Sequence, residues 1–157
     1  LTRLHNHRTS KHNLATSIKQ PHSAQQPLSV AMLNINHFKK INDGYGHPMG
    51  DQVIRSLSWF LSQRLRKTDI IGRYGGEEFL VVLPAADTPR AVEVLDRIRH
   101  DFGQIKHPFN ETWCTATLSA GVTQLHETED AQALIKQADE ALYSAKRAGR
   151  NRIVSWE

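Results

Sequence analysis

The chain has 157 residues, of which 39% are apolar and 23% charged, and its net charge is +4. This is the composition of one globular domain large enough to bury a core, and the longest apolar runs fall far short of the roughly 20 residues that cross a bilayer. There is no transmembrane helix and no signal-peptide pattern, and the single cysteine, Cys114, excludes an internal disulfide framework.

The mild, scattered positive charge invites an anionic partner. No basic–aromatic platform of the kind single strands need is visible, which argues against nucleic acid. A lone thiol fits a reducing, cytoplasmic setting, with Cys114 itself read as a small buried apolar residue. The first residue is Leu1, not methionine, so the expectation is one domain, 1–157, excised from a larger sensor protein. The domain itself is expected to make no membrane contact, although the full-length protein could be anchored.

In chain order, residues 2–20 read as a helix with apolar positions at Leu4, Leu14 and Ile18. QPHSAQQP (20–27) is a proline-bounded loop. LSVAMLNI (28–35) is a strand buried on both faces. Phe38, Ile41 and Tyr45 mark a short helix that breaks at Gly46-His47-Pro48. A long helix is expected from Asp51 to about Leu65, with Asp51 near its start as a favourable cap. DIIGRYGGEEFLVVLP (69–84) reads as a hairpin around Gly75-Gly76, a pair able to take the positive φ of tight turns. DTPRAVEVLDRIRHDFGQI (87–105) is a helix capped by Asp87 or Thr88, with Pro89 in its first turn. WCTATLSAGVTQL (113–125) reads as one strand with a bulge at Gly121. DAQALIKQADEALYSAKRAGR (130–150) is a helix with Asp130 as cap and Gly149 as stop, and RIVSW (152–156) is a closing strand. The order αβααββαβαβ implies an α/β (α+β) fold, a mostly antiparallel or mixed sheet with helices packed on it.

Two features carry charge chemistry. Lys146, Arg147, Arg150 and Arg152 cluster at the end of the last helix, either as a solvated helix end or as a phosphate clamp. Asn34 and Asn36 stand at the tip of the first strand, a common place for a metal site, yet neither is a carboxylate. His5, His7, His12 and His22 lack metal spacing and read as surface residues.

RYGGEEF (73–79) resembles the signature of the GGDEF family, the diguanylate cyclases, in its Glu-containing form. LTRLHNHR resembles the family's opening segment, HFKKINDGYGHPMGD its nucleotide-binding stretch, and ALYSAKRAGRNR its C-terminal Lys/Arg motif. The resemblance runs in order through essentially the whole chain. It implies a palm-like nucleotidyl-cyclase fold in which two domains face each other as a homodimer, each holding one GTP. Each 3′-hydroxyl then attacks the other's α-phosphate, giving cyclic di-GMP with Mg²⁺ (or Mn²⁺) as cofactor.

Carried over residue by residue, the resemblance makes Asn34, the Ile35 carbonyl and Glu77 the metal ligands, with Glu78 a helper near the reacting phosphate. Gly75 and Gly76 let the backbone approach the triphosphate. The amides around Phe38 and Lys39 would hold phosphate oxygens. Asn42 and Asp51 would read guanine, with His47 near the base or ribose, and Lys146 and Arg150 would contact the triphosphate. Arg66 and Asp69, in RKTD, resemble the family's Arg-x-x-Asp inhibitory product site, the bland alternative being a solvated charge pair at a helix end.

The departure is at the strand tip. Active members resemble Asp-Ile-Asp where this chain has Asn34-Ile35-Asn36, so the resemblance implies a weakened metal site. Losing the second carboxylate at Asn36 would compound the loss, unless that amide only satisfies backbone groups. Arg3 stands where the family opening usually has Gly.

Overall fold

The computed structural model describes residues 4–19, 26–126 and 129–157. The expected loop over 20–25, His22 and the first residues of the opening motif, Arg3 among them, lie outside these.

The elements run β1 (Leu4–His5), α1 (His7–Lys19), β2 (Leu28–Ile35), α2 (Phe38–Tyr45), α3 (His47–Arg64), β3 (Ile70–Arg73), β4 (Glu78–Pro84), α4 (Thr88–Phe102), β5 (His107–Phe109), β6 (Thr112–Cys114), β7 (Leu118–Gln124), α5 (Ala131–Arg147) and β8 (Ile153–Ser155). Six strands form one sheet in the order β1-β3-β4-β2-β7-β8, and β5 and β6 form a separate hairpin. The middle of the sheet is antiparallel, while β1 and β8 join its two edges in parallel.

β2 is the central strand and is buried along its whole length, which is why its sequence is continuously apolar rather than alternating. Its odd-numbered residues Leu33 and Ile35, with Phe79, Val81, Leu118 and Ala120, face Leu57 and Leu61 of α3 and Leu95 and Phe102 of α4. Its even-numbered residues Val30 and Met32, with Leu80 and Val82, face Leu14 of α1 and Leu134, Ala138 and Leu142 of α5. The result is a three-layer α/β arrangement, with helices on both faces of a mostly antiparallel sheet.

The helix caps follow from chemistry. Asp87 accepts from the Arg90 amide at 3.0 Å and Asp130 from the Ala133 amide at 2.8 Å, each side chain satisfying an N–H that the first turn leaves open. At the end of α5, Gly149 takes φ 122°. Its N–H reaches Lys146 O at 3.3 Å and the Arg150 N–H reaches Ala145 O at 2.9 Å. That is a Schellman closure, and the glycine is there because its backbone is left-handed.

Four expectations are corrected. α3 starts at His47, directly after Gly46 at φ 93°, with Pro48 in its first turn. Asp51 therefore lies inside the helix and does not cap it. Gly75 and Gly76 take no left-handed φ, because four residues link β3 to β4 and the Arg73 guanidinium holds that loop by donating to Gly75 O and Gly76 O. Gly121 is not a bulge: it pairs in register with Met32 and Val154. It is glycine because a Cβ there would stand 2.2 Å from both Ala138 O and Leu142 N of α5. Finally, the single strand expected over 113–125 is divided: Trp113 and Cys114 end β6, which pairs with the preceding β5, and Leu118–Gln124 form β7.

Candidate functional site

Register builds the site. Asn34 pairs with Glu78 of β4 on one side and with Ser119 of β7 on the other. Paired residues share a face, so Glu78, Asn34 and Ser119 form one row across three strands, on the face that α5 covers. The neighbouring Ile35 N–H donates to Glu77 O at 3.1 Å. Asn34 and Glu78 are therefore a non-hydrogen-bonded pair, the kind whose side chains stand closer.

The two amides differ. Asn34 is 7% exposed, and its side chain makes no hydrogen bond among the described residues. Asn36 is 3% exposed, and both ends of its amide are used: Nδ2 donates to Thr117 Oγ1 at 2.8 Å and Oδ1 accepts from Ser119 Oγ at 2.8 Å. Asn36 thus ties β2 to β7 and is turned away from Asn34's role. This geometry favours the alternative in which Asn36 satisfies neighbouring polar groups, here the side chains of Thr117 and Ser119.

Glu78 lies against the glycine turn, its Oε1 standing 3.0 Å from where a Cβ on Gly75 would be. Burial raises its carboxyl above the ordinary carboxylate range, Asp139 and Glu77 add to the rise, and Lys146 opposes it. Tyr74, before the turn, is likewise raised by burial and then by Asp139 and Glu78. Asp139 and Lys146 are seven residues apart on α5, hence on one face, and that face carries both groups toward the hairpin. Glu77 is half-buried and forms no ion pair among the described residues.

Around this centre the other expected residues arrange as follows. α2 begins directly beyond the β2 tip, and its cap residue His37, at φ 54°, provides no side-chain cap. The first amides of α2, from Phe38 and Lys39, are therefore not taken by a capping side chain. Asn42 lies over Gly50, where a Cβ would stand 1.9 Å from Asn42 Oδ1, and Asp51 is the next residue. α2–α3 packing thus groups Asn42 with Asp51, and His47 is exposed at the start of α3. Lys146 is half-buried beside Glu78, whereas Arg150 is exposed in the turn after α5.

Arg66 and Asp69 sit at the opposite end of the β3–β4 hairpin from Gly75. Arg66 Nη2 donates to Asp69 Oδ1 at 2.9 Å and to Pro84 O at 2.6 Å, and the Arg66 amide donates to Asp69 Oδ2 at 2.7 Å. Asp69 is 4% exposed, so this is a built turn and not a solvated pair. Arg64 and Arg90 line the same cleft.

The donors that the family resemblance offers a divalent ion are one carboxylate from Glu77, the Asn34 amide oxygen and the Ile35 carbonyl. These are hard oxygens of the kind Mg²⁺ takes, with one formal charge among them, and no cluster of three or more His, Cys, Asp or Glu residues occurs among the described residues. The residues fit Mg²⁺, as a site that leans on charge brought by its ligand.

Sequence reading missed Tyr74, Asp139, Ser119, Arg64 and Arg90. The seven-residue spacing from Asp139 to Lys146 was a usable signal. The other positions depend on strand register and helix docking, which the sequence does not display. No helix among the described residues is long and apolar enough to cross a membrane.

Residues 1–152 match the model of the diguanylate cyclase GGDEF domain. The chain is 39% identical over 153 residues to diguanylate cyclase DgcP of Pseudomonas aeruginosa, covering 98% of this chain and 23% of that protein. It is 38% identical over 160 residues to the response regulator PleD of Caulobacter vibrioides, covering 98% and 35%. It therefore spans about a quarter to a third of these relatives' lengths. Among solved structures it resembles the active GGEEF domain of a diguanylate cyclase from Vibrio cholerae, with a TM-score of 0.89, 35% identity and 98% of each chain covered. It also resembles the GGDEF domain of DgcB from Caulobacter crescentus in complex with c-di-GMP, at 0.91, 30% identity, and 97% and 91% covered. With these likenesses the fold is the palm-like cyclase fold, and the chain belongs to the GGDEF family of diguanylate cyclase domains.

Proposed function

We propose that this domain condenses two GTP molecules into cyclic di-GMP and two pyrophosphates, in a homodimer of facing copies, at a rate lowered by the amide at position 34. In each half-reaction a 3′-oxygen bonds to the α-phosphorus of the other nucleotide, the bond from that phosphorus to the β-phosphate oxygen breaks, and the 3′-hydroxyl proton leaves to base. The observation that carries the reading is the row Glu78–Asn34–Ser119 with the Glu77 backbone locked to Ile35. It sets the Glu78 side chain, which lies against Gly75, beside the Asn34 amide, which has no hydrogen-bond partner among the described residues.

Each residue has a physical task. The Phe38 and Lys39 amides, at a helix start, suit phosphate oxygens. Gly75 and Gly76 allow close backbone approach. Lys146 supplies a point charge and Arg150 a fork for the triphosphate. Asn42 and Asp51 match guanine, because Asp accepts from donors on its edge that adenine lacks. Asn34, Ile35 and Glu77 would hold Mg²⁺ or Mn²⁺, which when bound neutralises charge building on the phosphates. Glu78, its pKa raised by burial and flanking carboxylates, serves as a helper near the reacting phosphate.

A second reading is a domain that binds GTP or cyclic di-GMP without turnover. The ordered Arg66–Asp69 turn, with Arg64 and Arg90 lining the same cleft, favours it, because Arg suits both phosphate and the Hoogsteen edge of guanine. One assay separates the two. The dimerised domain is incubated with GTP and Mg²⁺ or Mn²⁺, and the products are resolved by chromatography. Cyclic di-GMP formed in proportion to dimer supports the cyclase. Tight binding of cyclic di-GMP with no product at any protein concentration decides for the receptor.

A further inference from the structure

The Ser119 hydroxyl has one proton, and it goes to Asn36 Oδ1 at 2.8 Å. With its donor fixed there, Ser119 Oγ presents a lone pair to the Asn151 backbone N–H, 3.0 Å away. Asn151 follows Arg150, and after Gly149 at 122° Arg150 takes φ 64° and Asn151 φ 48°. Non-glycine residues reach the left-handed region only with strain, and something must hold two in a row there. Here the restraints come from several sides. Asn151 Oδ1 accepts from Arg99 Nη1 at 2.9 Å, and Arg99 Nε donates to Asp96 at 2.7 Å. The Ala120 N–H donates to Arg152 O at 3.0 Å. Ser119 itself is fully buried, so no water competes for its lone pair.

We infer that Asn36 is a positioning residue for the triphosphate clamp: it orients the Ser119 hydroxyl, which pins Asn151 and so fixes the backbone from which Arg150 reaches phosphate. This rests on the role given to Arg150 above. The amide accepts from Ser119 and donates to Thr117 at the same time, so both of its ends are held by β7 and its approach. An aspartate at 36 still accepts from Ser119 and, with the Thr117 hydroxyl turned to donate, accepts from Thr117 as well, so its oxygens stay committed to β7. Asn36→Asp therefore does not restore metal affinity. The two strand-tip amides belong to different parts of the site, one facing the cation and the other holding the phosphate-binding turn.

The test is a double-mutant cycle with a readout that needs no nucleotide. GTP binding in Mg²⁺ is measured by calorimetry for the parent, Asn36→Ala, Ser119→Ala, Arg150→Ala and the two doubles with Arg150→Ala. Amide exchange at Asn151 is followed by NMR on the nucleotide-free proteins. Asn36→Ala and Ser119→Ala should each weaken GTP about tenfold, the scale of one buried hydrogen bond lost. Neither should weaken it further once Arg150 is gone, and both should speed Asn151 exchange. Asn36→Asp, isosteric and still an acceptor for Ser119, should keep Asn151 protected and leave the Mg²⁺ requirement unchanged. Additive losses in the cycle, or Asn151 exchange unchanged in Asn36→Ala, overturn the inference. A parent domain that binds no GTP sinks the nucleotide reading instead. The exchange data, which use no nucleotide, tell the two failures apart.

Discussion

Restoring a carboxylate at position 34 should raise turnover at least tenfold. The side chain is 7% exposed, paired across the strands with Glu78 and next to the Ile35–Glu77 backbone link, so a new charge there acts at short range. At about 4 Å and an effective dielectric of about 20, one unit pair is worth about 4 kcal/mol, and a dication doubles the raw figure. Desolvating the carboxylate offsets much of this, as does the negative charge the nucleotide's phosphates already bring. A residue of about 3–4 kcal/mol corresponds to roughly 10²–10³ in rate, and the tenfold floor allows for further losses. Without a cation the same change should act in the opposite direction. Glu78 is already raised by burial, Asp139 and Glu77, and another carboxylate beside it adds repulsion. Asn34→Asp should therefore melt earlier than the parent in chelator and gain more than the parent from added Mg²⁺. The rate is read as cyclic di-GMP formed per dimer at saturating GTP, and the melting shift by fluorimetry across a Mg²⁺ titration. An unchanged rate, or a melting response to Mg²⁺ equal to the parent's, refutes this account of position 34.

Arg66→Ala should abolish tight binding of cyclic di-GMP while leaving GTP binding intact, since Arg66 sits at the far end of the hairpin from Gly75; calorimetry showing unaltered product affinity would retire that site. Gly121→Ala should lower stability by about 3 kcal/mol or more, because the new methyl meets Ala138 O and Leu142 N at 2.2 Å and backbone atoms of α5 cannot step aside; a melting temperature within a degree of the parent's would contradict the close approach. His107 is buried, with Nδ1 3.1 Å from Cys114 O and Nε2 without a hydrogen-bond partner. Burial lowers its pKa from the ordinary 6.5, against the opposing effect of the Cys114 bond. The unfolded chain then takes up the proton first, so this contribution to stability is whole above pH 6.5 and is lost as pH falls toward the lowered value. The fall in melting temperature from neutral to mildly acidic pH should be shallower in His107→Phe, and parallel profiles would refute the assignment.

The parts of the fold that were legible rest on local chemistry. Asp87 and Asp130 announce helix starts because a carboxylate can take an amide two or three residues on, and both do so. Gly149 announces a stop because the closing residue must be left-handed. Where the sequence misled, a residue had two physical uses. An isolated strand glycine means either a bulge or a close backbone approach, and at Gly121 the second holds. Asp51 had the composition of a cap, but Gly46 and Pro48 start α3 a turn earlier. The β5–β6 hairpin was missed because His107–Cys114 is short and only half apolar, and its packing, such as the edge-on contact of Tyr45 with Phe109 at 4.9 Å, is tertiary. In the site, motif resemblance supplied residue identities but no register. That Asn34 stands between Glu78 and Ser119 depends on strands separated by more than forty residues on either side, and nothing local encodes it.

The same limit governs how a departure from a family pattern should be weighed. Asn34 and Asn36 look like one change made twice, two carboxylates replaced by two amides on a strand tip. Their surroundings separate them. An amide with no hydrogen-bond partner among the described residues, opposite a glutamate whose pKa is raised first by burial and then by Asp139, lacks charge in a place where charge would be used. An amide with both ends bonded, two residues on, lacks nothing: its donor and acceptor are both engaged, and a carboxylate there would be held by the same two hydroxyls. Counting acidic residues at the tip would predict equal gains from restoring either. Following each side chain to its partners predicts a gain at 34 and none at 36. The pair of single substitutions, assayed side by side for Mg²⁺ dependence and turnover, decides between charge counting and geometry, because the two substitutions are chemically identical and differ only in where the fold has put them.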